Sequence, residues 1–145
     1  MNRIIVCVLL SLFGSAMLSA QVKLLPIFSD NMVLQQRVKA PIWGETLPNK
    51  TVEIITSWNK KKYTALADEK GKWIVKVDTP SAGGPYTITI SDGKPVMLSN
   101  VLIGEVWICS GQSNMEMQVE GWGKINNYQQ EIADAQKYPN IRLMQ

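Results

Sequence analysis

Between residues 22 and 101 apolar and polar side chains alternate in short runs. Trp73, Val75 and Val77 share one side of Lys72–Val77, and Tyr86, Ile88 and Ile90 share one side of Tyr86–Ile90. A period of two belongs to a half-buried strand, because successive side chains leave opposite faces of the pleat. Weaker alternation marks Thr51–Thr56, Tyr63–Ala67 and Val96–Val101. Asp92-Gly93 predicts a hairpin turn, since glycine reaches positive φ without a Cβ clash. Asp68-Glu69-Lys70-Gly71 and Gly83-Gly84-Pro85 punctuate in the same way. Short antiparallel strands at this spacing predict a β-sandwich over residues 21–103. Lys60-Lys61-Lys62 reads as a solvated strand edge that discourages pairing between molecules, rather than as an anionic-ligand patch.

The pattern changes at Gly104. Glu105-Val106-Trp107-Ile108-Cys109 is almost continuously apolar after its leading charge, which predicts a strand buried on both faces of a parallel sheet. That placement makes Trp107 a core residue and Cys109 an inert buried thiol. A turn at Ser110–Asn114 follows. Asn126-Asn127 then offers a cap for a helix to about Lys137, with Tyr128, Ile132, Ala135 and Tyr138 at helical spacing and Pro139 beyond. Ile141–Met144 opens another apolar run. Strand, helix, strand predicts the first βαβ unit of an α/β domain over residues 104–145, incomplete because a two-stranded parallel sheet cannot cover itself.

Residues 1–20 have another grammar. Arg3 precedes an apolar core from Ile4 to Phe13, and small residues follow at Ser15, Ala16, Ser19 and Ala20. This order is that of a cleavable secretory signal, and the apolar core is shorter than the roughly 20 residues a bilayer span needs. The expectation is a secreted or periplasmic protein with no membrane segment after cleavage. Cys7 leaves with the signal, so Cys109 would be the sole remaining cysteine and no internal disulfide would form.

Composition then narrows the chemistry. The chain has 145 residues, 46% of them apolar, and a formal net charge of +3. No concentrated basic face is evident, which excludes a nucleic-acid partner. There is no histidine, so no Ser-His pair, histidine metal site or imidazole base exists within this sequence. No metal or other cofactor is expected, and nothing sets an oligomeric state. In open α/β sheets sites gather at the carboxyl ends of strands, where Gly111-Gln112-Ser113-Asn114 falls. A serine there can hold its hydroxyl clear of the sheet, and its amide can face an oxyanion. Spacing alone equally allows Ser113 to be a helix cap, because Met115 stands where a nucleophile elbow has glycine.

A resemblance decides between these. Gly104-Glu105-Val106-Trp107-Ile108-Cys109-Ser110-Gly111-Gln112-Ser113-Asn114-Met115-Glu116-Met117 resembles the first motif block of the sialate O-acetylesterases, serine esterases of the SGNH class. Phe28-Ser29-Asp30-Asn31-Met32-Val33-Leu34-Gln35-Gln36 and Pro41-Ile42-Trp43-Gly44 resemble the start of that family's β-domain. The resemblance implies an O-acetylated sugar as substrate and Ser113 as the nucleophile that attacks the acetyl carbonyl. It places Gln112 and Asn114 beside the turn or oxyanion region. It also implies a histidine base far downstream, usually with an aspartate just before it; neither partner is in this sequence. The chain alone is therefore expected to be inactive, as a natural fragment or a shortened reading of a longer gene. Trp122, between Gly121 and Gly123, is the aromatic candidate for the rim of a substrate pocket. The competing expectation is a non-catalytic, secreted carbohydrate-binding β-module with a vestigial tail, drawing on five tryptophans.

Overall fold

A computed structural model describes residues 21–144; the signal peptide expected at 1–20 lies outside the described residues. Eight strands form: β1 (Lys23–Leu24), β2 (Val33–Gln35), β3 (Lys39–Glu45), β4 (Thr51–Thr56), β5 (Lys62–Leu66), β6 (Lys72–Asp78), β7 (Gly83–Ser91) and β8 (Pro95–Gly104). Two short helices follow, α1 (Ser113–Glu116) and α2 (Tyr128–Ala135). The strands make a three-stranded sheet ordered β1-β3-β6 and a five-stranded sheet ordered β2-β8-β7-β4-β5. The protein is thus mostly β, with two sheets.

Alternation creates one apolar cluster fed by both sheets. Ile42, Trp73, Val75 and Val77 enter it from the three-stranded sheet, and Val52, Ile54, Ile88, Ile90 and Val101 from the five-stranded one. Ile42, Val52, Ile54, Val77, Ile88, Ile90 and Val101 are fully buried. Each such side chain contributes roughly 1.5–3 kcal/mol relative to exposure. The register follows from these faces: Ile54 lies between Tyr63 of β5 and Ile90 of β7, so a one-residue slip would turn the buried set outward.

Turns complete the sheets where the sequence marks them. Asp92-Gly93 joins β7 to β8, with Gly93 at φ 124°. β5 is the edge of its sheet, and the lysine run lies at its start: Lys62 pairs with Glu53 at 2.7 Å and Lys61 with Asp78 at 2.8 Å. One pairing departs from the antiparallel expectation. β2 runs parallel to β8, with Val33, Leu34 and Gln35 opposite Leu102, Ile103 and Gly104. The long excursion from β2 through β7 brings β8 back beside it, so no hairpin is needed.

The expected βαβ unit is corrected. Residues 105–112 form no strand, nor do residues 141–144. Trp107 is 82% exposed and Ile108 94% exposed, and Cys109 is an exposed free thiol, so Trp107 is not core and Cys109 is not buried. The cause is geometric. A strand apolar on both faces needs strands on its edges and helices on its faces, and no described residues take those places. The helix expected to about Lys137 ends at Ala135 and buries none of its residues. Its cap also differs. The Asn127 side chain donates to Glu131 Oε1 at 3.1 Å rather than binding backbone, while the Asn127 carbonyl accepts from Gln130 and Glu131.

Candidate functional site

The segment that carries Ser113 leaves the sheet at the end of β8. Its first residue, Glu105, is gripped at once. Gln35 Nε2 donates to one carboxylate oxygen at 2.9 Å and Gln36 Nε2 to the other at 2.6 Å. The backbone N–H of Val106 donates to Gln35 Oε1 at 2.8 Å, and that of Gln36 to the Gly104 carbonyl at 2.8 Å. The donations from Gln35 and then Gln36, helped by the Arg37 charge, hold the Glu105 carboxyl below its ordinary value. A carboxylate so held is a poorer proton acceptor than a free one, so Glu105 is not equipped to activate a serine.

The chain then runs exposed to Gly111, whose φ of 155° is one that L side chains rarely adopt. This lets the backbone turn into α1. The Gln112 carbonyl accepts from the N–H groups of Met115 at 3.0 Å and Glu116 at 3.3 Å, and the Gln112 side chain makes no capping bond. Ser113 is therefore the first residue of α1, and it is exposed. Asn114 follows within the same turn of helix. Trp122 is about half exposed, flanked by Gly121 at φ 109° and Gly123 at φ 62°. Ser113, Gln112 and Asn114 are together by sequence; no hydrogen bond among the described residues ties Trp122 to them.

No described group stands ready to take the Ser113 proton. Glu116 and Glu120 are exposed, and the sequence holds no histidine. Among the described residues no cluster of three or more potential metal ligands forms, and no helix is long and apolar enough to cross a membrane. Two open depressions lie elsewhere, one reaching from Arg37 to Ser81 and one from Asn49 to Gly93, and neither includes Ser113.

Three other tryptophans have structural partners, while Trp107 is exposed. Trp73 is buried, Trp43 packs edge-on against Phe28 at 4.6 Å, and Trp58 donates from Nε1 to the Asp78 carbonyl at 2.9 Å while packing on Tyr86. Sequence reading passed over Gln35, Gln36 and Arg142 as individual side chains. Arg142 donates from Nη1 to the Asn100 carbonyl at 2.5 Å and the Met32 carbonyl at 3.2 Å, and from Nη2 to Asn100 Oδ1 at 3.1 Å. The paired glutamines closing a strand were the one available signal, and their partner 70 residues away was not visible from spacing.

No family model matches the chain. Individual proteins do. The sialate O-acetylesterase of Mus musculus is 34% identical over 127 residues, covering 80% of this chain and 23% of that protein. The sialate O-acetylesterase of Homo sapiens is 31% identical over 126 residues, covering 80% and 24%. Among solved structures, a carbohydrate acetylesterase from Xanthomonas citri superposes with a TM-score of 0.62 at 34% identity, over 68% of this chain and 22% of that one. The chain spans about a quarter of the length of the curated relatives it matches. Across the residues matched, the curated relatives are sialate O-acetylesterases and the solved structure is a carbohydrate acetylesterase, and it is these that the chain is similar to.

Proposed function

We propose that this chain supplies the β-unit and the nucleophile-bearing segment of a serine esterase that removes O-acetyl groups from sialic acids or related acetylated sugars. In this reading residues 21–103 form a β-sandwich unit, and residues 104–145 open an SGNH-type hydrolase domain. Residues 1–20 direct export to the periplasm or beyond. The end of β8 at Gly104 supports that boundary. The observation that carries the reading is the run from Gly104 to Met117, with Ser113 exposed at the start of α1, in a chain whose relatives are named acetylesterases.

The chemistry is acyl transfer. Ser113 Oγ attacks the acetyl carbonyl while a base takes its proton. The sugar hydroxyl leaves with that proton, and water then releases acetate from the serine. Gln112 and Asn114 shape the turn, and the Ser113 amide contributes to oxyanion stabilisation. Trp122 forms part of the pocket rim. A serine hydroxyl is a weak nucleophile until a positioned base acts on it, and this sequence holds no histidine. The isolated chain is therefore inactive, and the base belongs to sequence beyond these residues. The non-catalytic sugar-binding alternative has less support, because Trp43, Trp58 and Trp73 are engaged in packing.

Acetate release tests this. The purified chain should release no more acetate from an O-acetylated sialic acid than its Ser113→Ala variant. Joined to the remaining hydrolase sequence of a relative, it should gain activity that Ser113→Ala lowers by roughly 10⁴-fold or more. Full turnover in that joined protein without the Ser113 hydroxyl would overturn the assignment.

A further inference from the structure

The stretch Phe28–Gln36 is only partly explained by strand pairing. Its polar groups converge on the two ends of the span that carries Ser113. At the near end, the exposed Glu105 carboxylate accepts from both Gln35 and Gln36. The donor and acceptor pattern there leaves little choice of residue. Gln35 Oε1 is already occupied by the Val106 N–H, and Gln36 Oε1 by the Ala82 N–H at 2.9 Å. Both glutamines must therefore present their NH2 groups to position 105. A carboxylate meets the two donors with one oxygen each, whereas an amide at 105 would turn its own NH2 toward one of them.

At the far end, Arg142 reaches back to the same edge of the sheet, to the carbonyls of Met32 and Asn100 and to the Asn100 side chain. The landing site is itself braced. Asn100 Nδ2 donates to Asn31 Oδ1 at 2.6 Å, and the Ser99 N–H donates to Asp30 Oδ1 at 2.7 Å. Asn31 and Asn100 sit at φ 66° and 55°, the left-handed region that asparagine tolerates better than most side chains. Hydrogen bonds to charged groups are about twice as strong as neutral ones, and each end of the span has them.

We propose that Gln35, Gln36 and Asn100 are positioning residues: by holding Glu105 and Arg142 they fix the serine-bearing span at both ends to the β2–β8 edge. The functional meaning of this rests on the assignment of Ser113 above; the anchoring itself rests on geometry. It assigns the β-unit a task in the reaction, because displacing a reacting group by about 1 Å can cost on the order of 100-fold in rate. The exposed run from Val106 to Cys109 has little packing of its own to hold it.

A swap of partners tests the near anchor in the whole chain, read by amide exchange at Val106. Glu105→Gln sets an NH2 against an NH2, and exchange at Val106 should quicken by ~10-fold. Gln35→Glu alone sets two carboxylates together and should quicken it as much. The double variant restores every donor–acceptor pair with the two groups exchanged, and exchange should return to within ~3-fold of the original. The melting temperature should move little throughout. For the far anchor, a nitroxide on Cys109 in a Cys7→Ser background reports local motion. Arg142→Met should shorten its correlation time by ~2-fold. Unchanged exchange in Glu105→Gln, or a double variant no slower than the singles, overturns the near anchor. An unchanged probe in Arg142→Met overturns the far one. None of these measurements needs Ser113 to react, so a failed acetate assay and a failed anchor are separate results.

Discussion

Asp68 and Gly71 make the turn between β5 and β6 from two different resources. Asp68 Oδ1 accepts the N–H groups of Lys72 at 2.9 Å and Lys70 at 2.8 Å, and these bonds, the Lys72 one above all, draw its carboxyl below the ordinary 3.8. Gly71 contributes backbone freedom. It sits at φ 77°, and a Cβ there would lie 2.1 Å from the Thr46 carbonyl oxygen. That oxygen belongs to backbone and cannot swing aside. Gly71→Ala should therefore destabilise the fold by more than about 1 kcal/mol, lowering the melting temperature by roughly 5 °C or more. Thermal unfolding followed by circular dichroism checks it. Gly93, also at positive φ, has open space around its Cβ position, so Gly93→Ala meets only the backbone strain and should cost less.

Strands were legible where one face is buried and the other wet. Residues 86–90 alternate without interruption and residues 72–77 do so apart from the exposed Ile74, and Trp73, Val75, Val77, Ile88 and Ile90 are all in the core. The same contrast gives a sharp test in β4. Ile54 is fully buried, while its neighbour Ile55 is 39% exposed. Ile54→Ala should cost about 2–5 kcal/mol, whereas Ile55→Ala should cost less than about 1 kcal/mol, measured by urea unfolding. β3 was harder to read, because Pro41 interrupts its pattern. The structure accommodates the proline opposite Lys76 of β6, where β1, paired only at Gly44 and Glu45, does not reach. Residues 105–109 read as a buried strand for a physical reason that still holds: their apolar content suits one. Hydropathy reports what a segment can bury, and the neighbours that would bury it are a separate matter. The proposal for Ser113 rests on the motif run, since Gly-Gln-Ser-Asn spacing alone fits a helix cap as well. In α2 the apolar spacing was visible but the helix has no buried residue, and eight residues are too few for a helix to be stable on propensity alone. Ala135→Gly should leave the melting temperature within about 1 °C, and α2 amides should exchange far faster than those of β4.

Across the whole molecule the two sheets meet through the shared core and through polar contacts, among them a corner at Asp78. There the end of β6 receives the β4–β5 hairpin. Lys61 Nζ donates to Asp78 Oδ2 at 2.8 Å, the Asp78 N–H donates to the Tyr63 hydroxyl at 3.1 Å, and Trp58 reaches the Asp78 carbonyl. The Lys61 hydrogen bond and charge lower the Asp78 carboxyl below 3.8, and Asp78 in turn raises Lys61 above 10.5. Glu105 and Asp68 are lowered as well. The signs then fix the pH response. A depressed carboxylate binds fewer protons folded than unfolded, so its contribution is present above its ordinary pKa and vanishes as pH falls through its folded one. A raised lysine contributes fully below 10.5 and loses that contribution as pH climbs through its folded value. Melting temperature should therefore be flat from about pH 5 to pH 10 and decline on both sides. The groups are exposed, so each effect is small and weakens with added salt. Asp78, like its partner Lys61, acts in both limbs. Asp78→Asn should flatten the alkaline decline and part of the acid one, whereas Asp68→Asn should soften the acid decline alone. Melting curves across pH at low and high salt separate the two, and an alkaline limb indifferent to Asp78→Asn would show that the Lys61 pair does not help join the sheets.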